Sequence, residues 1–78
     1  SEFEDVLDKD LFKHWAISKK EKEIVALAAT GKPLKEIAAT MQVTKSAIEK
    51  RLGTLYKRFD VNCLTSLITF AHQNHILT

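Results

Sequence analysis

A chain of 78 residues, 45% apolar and 28% charged, with only two glycines and one proline, is one small helix-rich domain; a chain this short buries only about 60% of its unfolded surface. One cysteine excludes an internal disulfide framework and a multi-cysteine zinc site, and no leader-like segment or apolar run of the ~20 residues a transmembrane helix needs is visible. A soluble, cytoplasmic domain without membrane attachment, cofactor or metal is expected, and its net charge of +2 is uneven. Five acids face two lysines over residues 1–17, whereas ten Lys and Arg face five acids from Ser18 onward.

Residues 1–16 read as a linker or a short lead-in helix, with Ser1-Glu2-Phe3 in part a cloning remnant. If helical, the segment places Val6, Leu7, Leu11, Phe12 and Trp15 on one side. Residues 17–78 form the domain. Ser18-Lys-Lys-Glu21 has capping-box spacing, so a helix begins there. Ile24, Leu27 and Ala28 are its inward stripe, and Gly31 ends it in the left-handed conformation. Pro33 suits the first turn of a second helix over about Leu34 to Met41, with Ile37, Ala38 and Met41 buried.

Thr44 is the expected N-cap of a third helix over roughly 45–59. With Ile48 as origin and about 100° per residue, Leu52, Leu55 and Phe59 lie in a narrow apolar arc, and Ser46, Lys50, Gly53 and Lys57 lie opposite. Asn62 caps a fourth helix of about Cys63 to Asn74, whose stripe of Leu64, Leu67, Ile68, Phe70 and Ala71 is broader than one packing contact needs. Part of that stripe, Leu64, Leu67, Ile68 and Ala71, reads as a dimer interface.

Two helices joined by a tight turn can lay the second in the major groove of DNA, about 12 Å wide. Residues 45–58 carry Lys45, Lys50, Arg51, Lys57 and Arg58 against Glu49 alone, a pattern that suits a polyanion. The plainer reading of such a stripe is a solvated helix face. On the DNA reading, Ser46, Glu49, Lys50 and Gly53 meet base edges. Lys35, Thr44, Lys45, Arg51, Lys57 and Arg58 reach phosphates, helped by the amide groups at the helix starts.

These residues resemble the LuxR-type (GerE-type) helix-turn-helix domains of bacterial response regulators and quorum-sensing activators. Ile17-Ser18, with Lys20-Glu21-Lys22-Glu23-Ile24, is similar to that family's opening Leu-Thr-x-Arg-Glu-x-Glu-Val block. Gly31-x-Pro33-x-Lys35-Glu36-Ile37-Ala38 is similar to its second-helix block, and Val43-Thr44-x-x-Ala47-Ile48 stands where it has Ile-Ser-x-x-Thr-Val. Leu55-Tyr56-Lys57-Arg58-Phe59-Asp60-Val61 resembles the end of its third helix, and Leu67-Ile68 with Ala71 resembles its fourth. The resemblance implies an all-α, four-helix domain whose third helix reads double-stranded DNA and whose fourth contributes to a homodimer. It also implies a transcription regulator with an upstream receiver or sensor domain, absent from this chain, and RNA polymerase as a further partner.

The chain departs from the family at Glu49, where a basic residue is usual, at Arg51 in place of histidine, at Ala47 in place of threonine, and at Leu64 in place of arginine. A carboxylate is repelled by phosphate but can accept from the cytosine amino group, so Glu49 is expected to shift base preference. Two rival readings are a promoter-reading domain of the sigma-factor type, through Glu36-Ile37-Ala38 and Ile48-Glu49-Lys50-Arg51-Leu52, and a protein-docking module that has lost DNA. His72 and His75, three apart on the fourth helix, read as polar rim positions ahead of a zinc site. Cys63 reads as a half-buried helix start ahead of a redox thiol, and Tyr56 as packing ahead of base stacking. No glycine-rich phosphate loop, activated nucleophile or carboxylate pair supports an enzyme.

Overall fold

Ser18 opens the first helix by a reciprocal pair of bonds. Its Oγ accepts from the Glu21 amide at 3.1 Å, and Glu21 Oε1 accepts from the Ser18 amide at 2.9 Å. In this computed structural model, which describes residues 17–77, that capping box starts α1, Lys19–Ala29. The lead-in reading of residues 1–16 lies outside the described residues. Three further helices follow, α2 Leu34–Met41, α3 Lys45–Phe59 and α4 Leu64–Gln73, with no strand among the described residues.

Each helix ends in or beside a left-handed residue. Gly31, at φ 91°, follows α1, and its lack of a Cβ makes that conformation free of strain. Gln42, Asp60 and His75 take the same region at φ 60°, 55° and 59° after α2, α3 and α4. In each of these three, the next amide reaches back five residues: Val43 to the Ala38 carbonyl at 3.0 Å, Val61 to Tyr56 at 2.9 Å and Ile76 to Ala71 at 2.8 Å. Carbonyls left over at the helix end are thereby satisfied. The chain stops three helices without glycine because these bonds offset the strain of the turn.

The second helix starts at Leu34 as expected, whereas the fourth starts one residue later than the sequence reading. Pro33 is the N-cap of α2, at φ −63° and ψ 153°, so its ring precedes the first helical turn. Cys63, not Asn62, is the N-cap of α4, in extended conformation, and no side chain caps that end. The helix closes at Gln73, so His75 lies beyond it, with its amide on the His72 carbonyl at 3.2 Å. The two histidines therefore do not share a helix face.

The core forms where α1 meets α2 and α4 and where α3 meets α2 and α4. Ile24, Val25 and Ala28 of α1, Ile37 and Ala38 of α2, the four apolar residues of the α3 arc, and Leu67 and Ala71 of α4 are buried. Val25 falls outside the single stripe expected for α1, and it is buried because α1 has neighbours on two sides. Leu27 and Met41 are only half-buried, whereas Ile17 and Ile76, before α1 and after α4, are buried in the same core.

The breadth of the α4 stripe is largely used internally. Phe70 stacks on Phe59 with ring centres 4.9 Å apart and planes at 24°, a geometry within the favourable aromatic range. Leu67 and Ala71 are 0% and 2% exposed, which corrects their reading as dimer contacts. They belong to the domain's own core. Of the four residues read as a dimer interface, Leu64 and Ile68, both half-buried, keep surface that a partner can reach.

Glu21 ties α1 to the far end of α3. Arg58 donates from Nη1 to Glu21 Oε1 at 3.0 Å, although Glu21 is only 7% exposed. Burial by itself would raise the Glu21 pKa, but the Ser18 amide and the Arg58 guanidinium outweigh it and hold the carboxyl below its ordinary value. A depressed folded pKa makes this group's stabilisation complete above its unfolded pKa of about 4.3. That contribution is lost as pH falls through the lower folded value. Glu21→Gln is therefore expected to destabilise the domain by about 1–3 kcal/mol at neutral pH and to flatten the acid limb of stability, as read by chemical denaturation from pH 7 down to pH 3.

Candidate nucleic-acid interface

Thr44 sets the register of α3. Its Oγ1 accepts from the Ala47 amide at 3.1 Å, so the helix starts at Lys45 after a turn of only Gln42, Val43 and Thr44 from α2. The hydroxyl hydrogen is still available to donate to an anion. From that start, Ile48, Leu52, Leu55 and Phe59 point into the core. Ser46, Lys50 and Lys57 are exposed on the opposite arc, and no described element covers them.

Gly53 lies within this outer arc. A Cβ built there meets nothing within 4 Å, so neither packing inside the domain nor backbone conformation requires glycine. The result is a shallow gap in the side-chain surface of α3. Thr54, next to it, turns its hydroxyl inward and donates to the Lys50 carbonyl at 3.1 Å.

Glu49 and Lys45 pair on one flank at 3.8 Å, one helical turn apart and each more than half exposed. Such a pair is worth at most a few tenths of a kcal/mol, yet it places a cation beside the carboxylate that would otherwise repel phosphate. Lys35, Arg51 and Lys57 are exposed. Arg58 is different. Its guanidinium is held on Glu21 with the side chain 31% exposed, so in this fold it bridges α3 and α1.

Tyr56 is half-buried against the core, and burial with the nearby Cys63 raises its hydroxyl pKa. Cys63 is exposed, not half-buried, and its Sγ lies 3.4 Å from the Ser66 hydroxyl, which with the Ser66 amide draws the thiol below its usual pKa. No group of three or more His, Cys, Asp or Glu is assembled for a metal among the described residues. No described helix is long and apolar enough to cross a membrane.

Sequence reasoning missed Lys20 and Val43 as surface neighbours of α3. Together with Met41, Ala47 and Arg51 they surround a small pocket over Ile24 and Ile48. Lys20 belongs to another helix, and no periodicity within a single element reveals that it stands across from Arg51.

The model of the luxR family, described as bacterial regulatory proteins, matches residues 16–71. The chain belongs to this family. The match takes in α1, α2, α3 and most of α4, so the four-helix architecture and the LuxR-type helix-turn-helix coincide. Membership places the chain among the DNA-binding domains of bacterial transcription regulators.

Curated relatives are consistent with that assignment. The chain is 31% identical over 64 residues to the transcriptional regulatory protein LiaR of Bacillus subtilis (strain 168), covering 82% of this chain and 30% of LiaR. It is 37% identical over 60 residues to the transcriptional regulatory protein YdfI of the same organism, covering 74% of this chain and 28% of YdfI. The matched segment is thus under a third of either relative. No solved structure matches the chain significantly.

Because Gly53 meets no internal constraint in the middle of a LuxR-type third helix, Gly53→Ala is expected to stabilise the domain by about 0.5–1 kcal/mol through helix propensity. A thermal melt followed by circular dichroism reads this as an upward shift in Tm.

Proposed function

We propose that this domain binds double-stranded DNA sequence-specifically by inserting α3 into the major groove. The observation that carries the reading is the two-sided character of α3, with Ile48, Leu52 and Leu55 buried and Ser46, Lys50 and Lys57 exposed over them. A helix of about 10–12 Å diameter fills a groove about 12 Å wide. In that position Ser46, Glu49, Lys50 and the gap at Gly53 face base edges. Lys35, Thr44, Lys45, Arg51 and Lys57 approach phosphates on either side.

Glu49 accepts from a cytosine amino group, and Lys50 donates to guanine O6 or N7. The Lys45–Glu49 pair lowers the electrostatic penalty of bringing a carboxylate to DNA. Relatives named as transcriptional regulatory proteins support a role as the output domain of such a regulator. On this reading a receiver or sensor domain precedes the domain in a two-component system, the protein acts in the cytoplasm, and RNA polymerase is a downstream partner.

Duplex affinity, selected from a random library and titrated with salt, tests the groove reading. Log affinity should fall linearly with log salt, because phosphate contacts release condensed counterions. Lys50→Ala should change the selected sequence, with a loss of about 1–3 kcal/mol confined to one base position, whereas Lys57→Ala should weaken all sequences alike. Absence of salt-dependent duplex binding would assign the domain to protein docking instead.

Two copies pair through the remaining surface of α4, around Leu64 and Ile68, on half-sites about 34–36 Å apart. Ile68→Asp leaves binding to a single half-site intact and abolishes the two-to-one complex on paired half-sites in sedimentation velocity. A two-to-one complex that survives this substitution would place the dimer contact elsewhere.

A further inference from the structure

Beside the outer arc of α3, on the flank that faces α1, lies a solvent-open pocket of about 80 Å³. Ile24 and Ile48 form part of its lining, Met41, Val43 and Ala47 give it apolar walls, and Lys20 and Arg51 supply its charge. Val43 is 46% exposed, the large apolar side chain most open to water among the described residues. Neither Lys20 nor Arg51 forms an ion pair with any described residue, whereas Arg58 and Lys45 do.

We infer that this pocket takes one deoxyribose-phosphate unit of the DNA backbone, the sugar edge against Val43 and Ala47 and a single phosphate shared by Lys20 and Arg51. The inference rests on the groove-binding reading and deepens it by adding a contact from α1. Two cations over an apolar lining suit a group with one negative charge and an adjoining carbon surface, which a sugar-phosphate has and a free inorganic anion lacks.

Position supports the same occupant. An α3 helix that fills the major groove must touch the strand walls on both flanks. On the helical wheel, Ala47 and Arg51 lie on one such flank, about 60–100° round from Lys50. Lys20 reaches that flank from α1, across the pocket. Guanidinium and ammonium groups both donate to the non-bridging oxygens of a phosphate, and one such oxygen accepts from two donors.

The salt slope of duplex binding separates one shared phosphate from two independent contacts, because it counts phosphates neutralised at about 0.9 each. Lys20→Ala and Arg51→Ala should each weaken binding about tenfold across all sequences. The double variant should lose about 0.9 of slope in total, not about 1.8. Scanning the selected duplex with uncharged methylphosphonates, one position at a time, should reveal one position at which neither substitution has any further effect. Both side chains are exposed, so melting curves of the variants should match the parent.

The inference is overturned if Lys20→Ala leaves affinity unchanged, if the double variant loses two phosphates' worth of slope, or if no single methylphosphonate absorbs both effects. A parent domain that binds no duplex in a salt-dependent way overturns the groove reading itself. Salt-dependent binding with an inert Lys20 overturns only the shared-phosphate pocket.

Discussion

Burial of Ile48, Leu52, Leu55 and Phe59 along one line of α3 leaves that helix a single rotation on the bundle. Turning it by one residue, about 100°, would bring Glu49 in one direction or Arg51 in the other toward the core and expose the isoleucine and leucines that hold it. The cost of burying an unpaired charge together with the lost apolar burial makes that alternative inaccessible. Everything that faces outward, from Ser46 to Lys57, is therefore positioned by residues on the other side of the helix. Thr44 and the three-residue turn after α2 complete the constraint by setting where the helix begins.

A domain this small has few apolar contacts to give, and it supplements them with polar ties at element ends. Glu21 is the most connected of these. One carboxylate closes the start of α1 through Ser18 and holds the far end of α3 through Arg58. The tie engages Arg58 within the domain, whereas Lys20, Lys35, Lys50, Arg51 and Lys57 are exposed without an ion pair to a described residue. It also explains why a glutamate lies buried on a helix whose other inward residues are apolar.

The departures from the family pattern acquire physical content in this setting. Glu49 sits one turn from Lys45, so its charge is partly balanced where DNA would lie. Ala47 leaves room in the pocket that a larger side chain would occupy. Leu64 adds apolar surface at the start of α4. None of the three is among the buried residues of the core.

Much of the fold follows from local sequence alone. Ser18 and Glu21, Gly31, Thr44 and the repeat of Ile48, Leu52, Leu55 and Phe59 act within one helix or one turn, so their spacing already determines the helix limits and the outward arc of α3. The ends at Met41 and Phe59 are legible as well, but not the left-handed conformation of the caps Gln42 and Asp60, which these residues adopt only where back-bonded amides compensate them. Tertiary packing decided the rest. Whether α4 residues serve the core or a partner, whether Arg58 meets a phosphate or Glu21, and whether Lys20 stands beside Arg51 all depend on which helices lie side by side. Such proximity is a property of the assembled bundle, since residues 37 apart in sequence, like Glu21 and Arg58, share no local pattern that could bring them together.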